Sequence, residues 1–112
     1  MSLGEMQEKQ VSMLARLVIY GESLGCRFRQ GDAYRDRRTN GEWGEKIGYS
    51  AAHSVHKIKL ANDLNLFIDG EWIINSDHPM WIVLHDYWEL MGGAPMIEND
   101  ANHFSQEYKG YR

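Results

Sequence analysis

The chain has 112 residues, 43% of them hydrophobic, and a formal net charge of -4. That length supplies one core and leaves no room for a second, so residues 1–112 read as a single domain. The acidic balance argues against a nucleic-acid groove, which needs a basic field to meet phosphates. The apolar runs are too short and too interrupted to span a bilayer: Asn62, Asp63 and Asn65 break residues 60–68, and His85, Asp86 and Glu89 break residues 80–91. The opening residues carry no apolar signal core, so the expectation is a protein made in the cytoplasm, with no membrane partner and acting as a monomer. Cys26 stands alone and cannot form an internal disulfide.

Val11, Leu14, Ala15, Val18 and Leu24 follow helical spacing, which predicts a helix over residues 5–24 with Gly25 as its stop. Residues 26–34 alternate loosely and predict a strand with a turn near 30–32. Residues 35–49, rich in Arg, Gly, Asn and Glu, form an irregular excursion of a length that is often functional. Arg27, Arg29, Arg35, Arg37 and Arg38 cluster in this part of the chain; such a cluster is either a solvated face or a source of one arginine for an anionic substrate.

Residues 60–68 read as the central strand. Period-two geometry places Ala61, Asp63, Asn65 and Phe67 on one face and Leu60, Asn62, Leu64, Leu66 and Ile68 on the other. On that leucine face Asn62 must find a hydrogen-bond partner. Asp69-Gly70 is a two-residue hairpin signal leading into a paired strand over 71–74. Pro79, after Ser76 and Asp77, opens a helix whose Met80, Leu84, Tyr87, Trp88 and Met91 share a face and which ends at Gly92-Gly93. Residues 102–108 complete the order as a final strand. The predicted class is α+β, with a small antiparallel sheet packed with helices around a metal cleft.

Two stretches carry the chemistry: Ser54-Val55-His56 with Asp63-Leu64, and Asp100-Ala101-Asn102-His103-Phe104. Two imidazoles and a carboxylate are a donor set for Zn²⁺, and three ligands with an open fourth position lower the pKa of a bound water to about 7. His56 falls just before the central strand, Asp63 within it and His103 at the start of the last one, so antiparallel pairing can bring them together. Asp100, three residues ahead of His103, is placed to take a proton without ligating the metal. His53 lies three residues before His56 and competes with it for the place of first ligand. His78 belongs to a helix start, His85 to a helix face, and Trp43 is the tryptophan best placed to touch a peptide.

The pattern Ser-x-His-x(6)-Asp-Leu followed by Asp-x-x-His-Phe resembles the zinc D-alanyl-D-alanine carboxypeptidase and L-alanyl-D-glutamate endopeptidase family, which cuts peptidoglycan stem peptides. The likeness is to its single-domain phage and prophage members, the endolysins. It extends through Leu60-Ala61-Asn62-Asp63-Leu64-Asn65-Leu66-Phe67, Gly31-Asp32-Ala33-Tyr34-Arg35, Asp86-Tyr87-Trp88 and Gly92-Gly93, and so covers residues 14–108. The resemblance implies that His56, Asp63 and His103 bind Zn²⁺, that Asp100 activates water, and that Arg35 steadies the negative charge on the scissile carbonyl oxygen. It further implies that Ser54 hydrogen-bonds substrate, and that the enzyme reaches the host wall only after the membrane is breached. The segment 94–99 and Ser105 depart from the family pattern. Two alternatives therefore stay open: a D-alanyl-D-alanine carboxypeptidase of the same fold, and an inactive metal-stabilised phage binding or structural protein.

Overall fold

In the computed structural model, which describes residues 1–32, 42–46 and 52–112, the first helix begins at a reciprocal cap. Ser2 Oγ accepts from the Glu5 N–H and Glu5 Oε1 accepts from the Ser2 N–H, both at 3.1 Å. Two otherwise orphaned donors are thereby satisfied, so helix α1 (Leu3–Ser23) starts slightly earlier than its apolar spacing suggests. Gly25, at φ +90°, turns the chain out of the helix into strand β1 (Cys26–Gln30).

The buried stripe of α1 is Gln10, Met13, Leu17 and Gly21, whereas Val11 is 68% exposed. Of the expected face, Leu14 and Val18 pack half-buried against the core, whereas Val11 and Ala15 are exposed, so the face is rotated in part from the one the sequence suggests. Two residues that carry no hydrophobic signal cause the difference. A Cβ on Gly21 would lie 2.5 Å from the Phe28 ring, so glycine is what lets α1 approach β1. Gln10 is buried because it bonds across the sheet: its Nε2 donates to Asn62 Oδ1 at 3.1 Å and to the Phe104 carbonyl at 3.0 Å. Gln106 Nε2 in turn donates to Gln10 Oε1 at 3.1 Å and to the Met6 carbonyl at 2.7 Å. This network supplies the partner that Asn62 requires on the leucine face.

Strand β2 (Ala61–Ile68) organises the sheet. It is followed by β3 (Glu71–Ile73) through Asp69 and Gly70, at φ 51° and 79°, the two positive values that a type I′ hairpin turn demands. Helix α2 (Pro79–Leu90) has Pro79 in its first turn, but its cap is His78, whose Nδ1 accepts from the Met80 N–H at 3.1 Å, and not Ser76 or Asp77. The last strand, β4 (His103–Ser105), is shorter than the predicted 102–108. Among the described residues the architecture is α+β, two helices and a four-stranded antiparallel sheet, and no helix is long and apolar enough to cross a membrane.

The edges of β2 are divided among its partners. Cys26 to Gln30 pair antiparallel with Ile68 to Leu64 on one edge. On the other, β3 pairs with residues 66–68 and β4 with residues 61–63. Leu64 and Leu66 face a core of Met13, Leu17, Trp81, Leu84, Trp88 and Phe104, while Asp63, Asn65 and Phe67 occupy the opposite face. A smaller cluster of Val55, Leu60 and Ala61, joined by Trp43 and Tyr108, lies beneath the turn that enters β2.

The rotated face of α1 is directly measurable. Gln10→Leu should destabilise the protein by about 2–4 kcal/mol, because it leaves buried groups on Asn62, Phe104 and Gln106 without their partner. Val11→Ser, on the exposed face, should stay within about 0.5 kcal/mol. Equal losses in urea denaturation would show that both positions are buried alike.

Candidate metal centre

The first ligand is delivered by a tight turn. Ser54 caps the single 3-10 turn Val55–Ile58, its Oγ accepting from the His56 N–H at 3.3 Å. Lys59 then adopts a left-handed conformation at φ 61°, and the Leu60 N–H closes onto the Val55 carbonyl at 2.9 Å. This arrangement points His56, 1% exposed, inward just before β2 begins. Lys57, also buried, reaches the carbonyls of Glu42 and Glu45 and ties residues 42–46 to the same turn.

The second and third candidates meet by register. Asp63 of β2 and His103 of β4 are directly paired across the strands. Consecutive backbone groups of β2 point to opposite edges: the Gly31 N–H reaches the Asp63 carbonyl at 2.7 Å, whereas the Leu64 N–H reaches the Asn102 carbonyl at 2.8 Å. A Cβ at Gly31 would come within 3.2 Å of the Asp63 Cβ, so the chain beyond β1 passes close against this carboxylate.

The result is a convergent donor set. His56 Nε2 and His103 Nδ1 each lie 3.2 Å from the same oxygen, Asp63 Oδ1. One donor atom from each of the three residues falls within 4.8 Å of the others, so the group can hold a metal ion. A tetrahedral site with bonds of about 2.0 Å has ligand–ligand edges of about 3.3 Å, close to the two nitrogen–oxygen separations found. Two of the three edges of the donor set thus have the length a small divalent cation needs.

Electrostatics favour the same use. Burial raises the pKa of Asp63, but hydrogen bonds from His103 and His56 and their charge outweigh it and hold the carboxyl at about 2, below its ordinary 3.8. Asp63 consequently contributes its stabilisation in full above about pH 4 and loses it as the pH falls towards about 2. It is a ready anion wherever an imidazole is a ready ligand.

The other residues singled out by sequence fall around a cleft of ≈ 450 Å³ whose lining includes His56, His103, Ser54 and Asp100. Asp100 is exposed at the rim, held by a turn in which its N–H meets the Ile97 carbonyl and its own carbonyl accepts from the His103 N–H, both at 3.1 Å. Arg35 lies outside the described residues. His53 is not in the ligand group: its ring stacks on Tyr111 at 4.5 Å and forms part of the cleft wall. Trp43 packs edge-on against His53, Tyr108 and Tyr111 and so buttresses that wall from behind.

Three parts of the site escape the sequence reading. Tyr111 and Arg112 also line the cleft, brought there by a reversal between Tyr108 and Tyr111 with Lys109 and Gly110 at positive φ. The Lys-Gly pair between tyrosines was a usable turn signal. Ile97 lines the cleft from the segment that departs from the family pattern. His85, buried in α2 and stacked on Phe104 at 4.2 Å, places Nε2 2.6 Å from the Ala101 carbonyl. Burial lowers its pKa, although the Ala101 carbonyl pulls the other way, so the ring is a neutral donor. Trp88 Nε1 likewise donates to the Ser105 carbonyl at 2.8 Å. These two α2 side chains grip the backbone two residues before and two residues after His103.

No family model matches the chain, and no curated protein matches its sequence.

Two outcomes test the centre. His56→Ala, Asp63→Ala and His103→Ala should each abolish tight metal binding by leaving two protein ligands, while His53→Ala should leave the metal content of the purified protein unchanged.

Proposed function

We propose that this chain is a zinc metallopeptidase that hydrolyses peptidoglycan stem peptides, of the L-alanyl-D-glutamate endopeptidase kind found among phage and prophage endolysins. The observation that carries the reading is the convergence of His56, Asp63 and His103 behind a cleft with Asp100 on its rim. The sequence pattern through these same residues supplies the substrate class.

Two nitrogen donors and one carboxylate oxygen are a donor set that favours Zn²⁺ among the common divalent ions and would leave one position for the reacting molecules. When bound, Zn²⁺ supplies Lewis acidity, polarising a carbonyl and acidifying water. His56, Asp63 and His103 would hold it. Asp100 lies beside that set with an exposed carboxylate, where it can take the proton of the attacking water and pass it to the departing amine nitrogen as the C–N bond breaks. Ser54 accepts the His56 N–H and also lines the cleft, within reach of a peptide carbonyl. Arg35 enters through its sequence position, as the cation that steadies the negative charge on the carbonyl oxygen.

Digestion of purified peptidoglycan followed by mass spectrometry of the new termini is the direct test. New D-glutamyl amino ends are the expected result. Released D-alanine would replace the endopeptidase by a carboxypeptidase, and absence of any product from zinc-loaded protein would overturn the enzymatic reading.

Substitution separates chemistry from metal binding. Asp100→Asn keeps size and hydrogen-bonding reach but not basicity, so zinc should remain while turnover falls by about 10²–10⁴-fold. Arg35→Ala should also keep zinc and lose about 10²–10³-fold. Loss of zinc from Asp100→Asn would make Asp100 a ligand, and retention of full activity would remove it from the mechanism.

A further inference from the structure

The binding surface does not stop at Asp100. On the other side of that residue lies a second cavity of ≈ 170 Å³, and Asp100 lines both. Asn65 reaches it because it stands on the same face of β2 as Asp63, one pleat or about 7 Å further along. Asn102 reaches it from the residue before His103, and its Nδ2 donates to Asn65 Oδ1 at 3.4 Å. That contact uses one donor and one acceptor. Asn65 Nδ2 and Asn102 Oδ1 have no partner among the described residues, so the pair offers the cavity one donor and one acceptor, the complement of a peptide or acetamido group.

The remaining walls sharpen the selection. Trp81 commits its N–H to the Asn75 carbonyl at 3.1 Å and presents ring surface, and Trp72, 52% exposed, adds an indole at the mouth. Among the described lining residues Asp100 is the only charged one, with no lysine, arginine or histidine to meet an anion. The cleft at the metal centre is different, since Arg112 and His53 stand in its wall. We infer that the Asn65–Asn102 cavity is a second substrate subsite that takes a neutral, amide-bearing segment flanking the scissile bond, with the carboxylate-bearing side of the peptide directed towards Arg112. The assignment rests on the peptidase reading for its place in a reaction.

The test uses zinc-loaded, ¹⁵N-labelled protein titrated with acetamide and, separately, with acetate, which differ only in the group the cavity would select. The neutral amide should produce saturable shifts of the Asn65 and Asn102 side-chain NH₂ signals, with the acetate anion at least about tenfold weaker at those signals, the scale of one unfavourable polar contact. Asn65→Val, which suits a strand and removes the amide, should abolish the Asn102 response while zinc content is retained. It should also cut by about tenfold the preference of the enzyme for a stem peptide extended on both sides of the cleaved bond over one truncated at its neutral end. Unmoved Asn65 and Asn102 signals, or equal response to amide and acetate, would overturn the subsite. If the wild-type protein cleaves no cell-wall peptide, the peptidase reading fails, and the NMR titration still decides whether the cavity binds amides.

Discussion

One carboxylate oxygen sets the geometry of this protein. Asp63 Oδ1 is 3.2 Å from an imidazole on each side, one from the turn before its own strand and one from the strand paired with it. Neither contact can be adjusted alone. Sliding β4 by one residue would turn His103 to the opposite face of the sheet and replace it with Asn102 or Phe104 beside Asp63. The convergence of these three side chains is thus a consequence of strand register, and whatever fixes that register fixes the candidate site.

The register is fixed largely from the helices. A three-residue strand has few ladder bonds of its own, yet the carbonyls of residues 101, 104 and 105 are held by His85, Gln10 and Trp88 respectively. Each donor is a buried side-chain N–H that would lose its partner away from water if the strand slid, and the Ser105 carbonyl is held a second time by the Ala94 N–H at 2.8 Å. Three long-range bonds over five residues hold β4 in place better than its length allows. The polar atoms of this core therefore do what its apolar contacts cannot, since hydrophobic packing alone has no direction with which to choose one register over the next.

The cleft follows from the same construction. Its floor holds the ligand set, its rim is the turn that presents Asp100, and its far wall is the stacked pair His53 and Tyr111 with Trp43 behind them. Residues distant in the chain thus surround a single opening. Asp100 divides that opening from the amide-lined cavity, so a chain crossing the rim meets cationic surface on one side and neutral amides on the other.

The elements that depend on local chemistry were legible in the sequence: the alternation of β2, the Asp69-Gly70 hairpin, the proline-led start of α2, and the spacing that sets His56, Asp63, Asp100 and His103 apart from the other histidines and acids. Each rests on a periodicity or a backbone preference that acts over a few residues. Only the tertiary structure decided which face of α1 is buried, because Gln10 and Gly21 are interior through a hydrogen-bond network and a close approach that hydrophobicity does not register. The same holds for His85, whose partner Ala101 is sixteen residues away, and for Tyr111 and Arg112, which enter the cleft through a chain reversal. Sequence named the candidate ligands through local spacing; their convergence at one oxygen required strand pairing across forty residues, and long-range pairing is what no local pattern encodes.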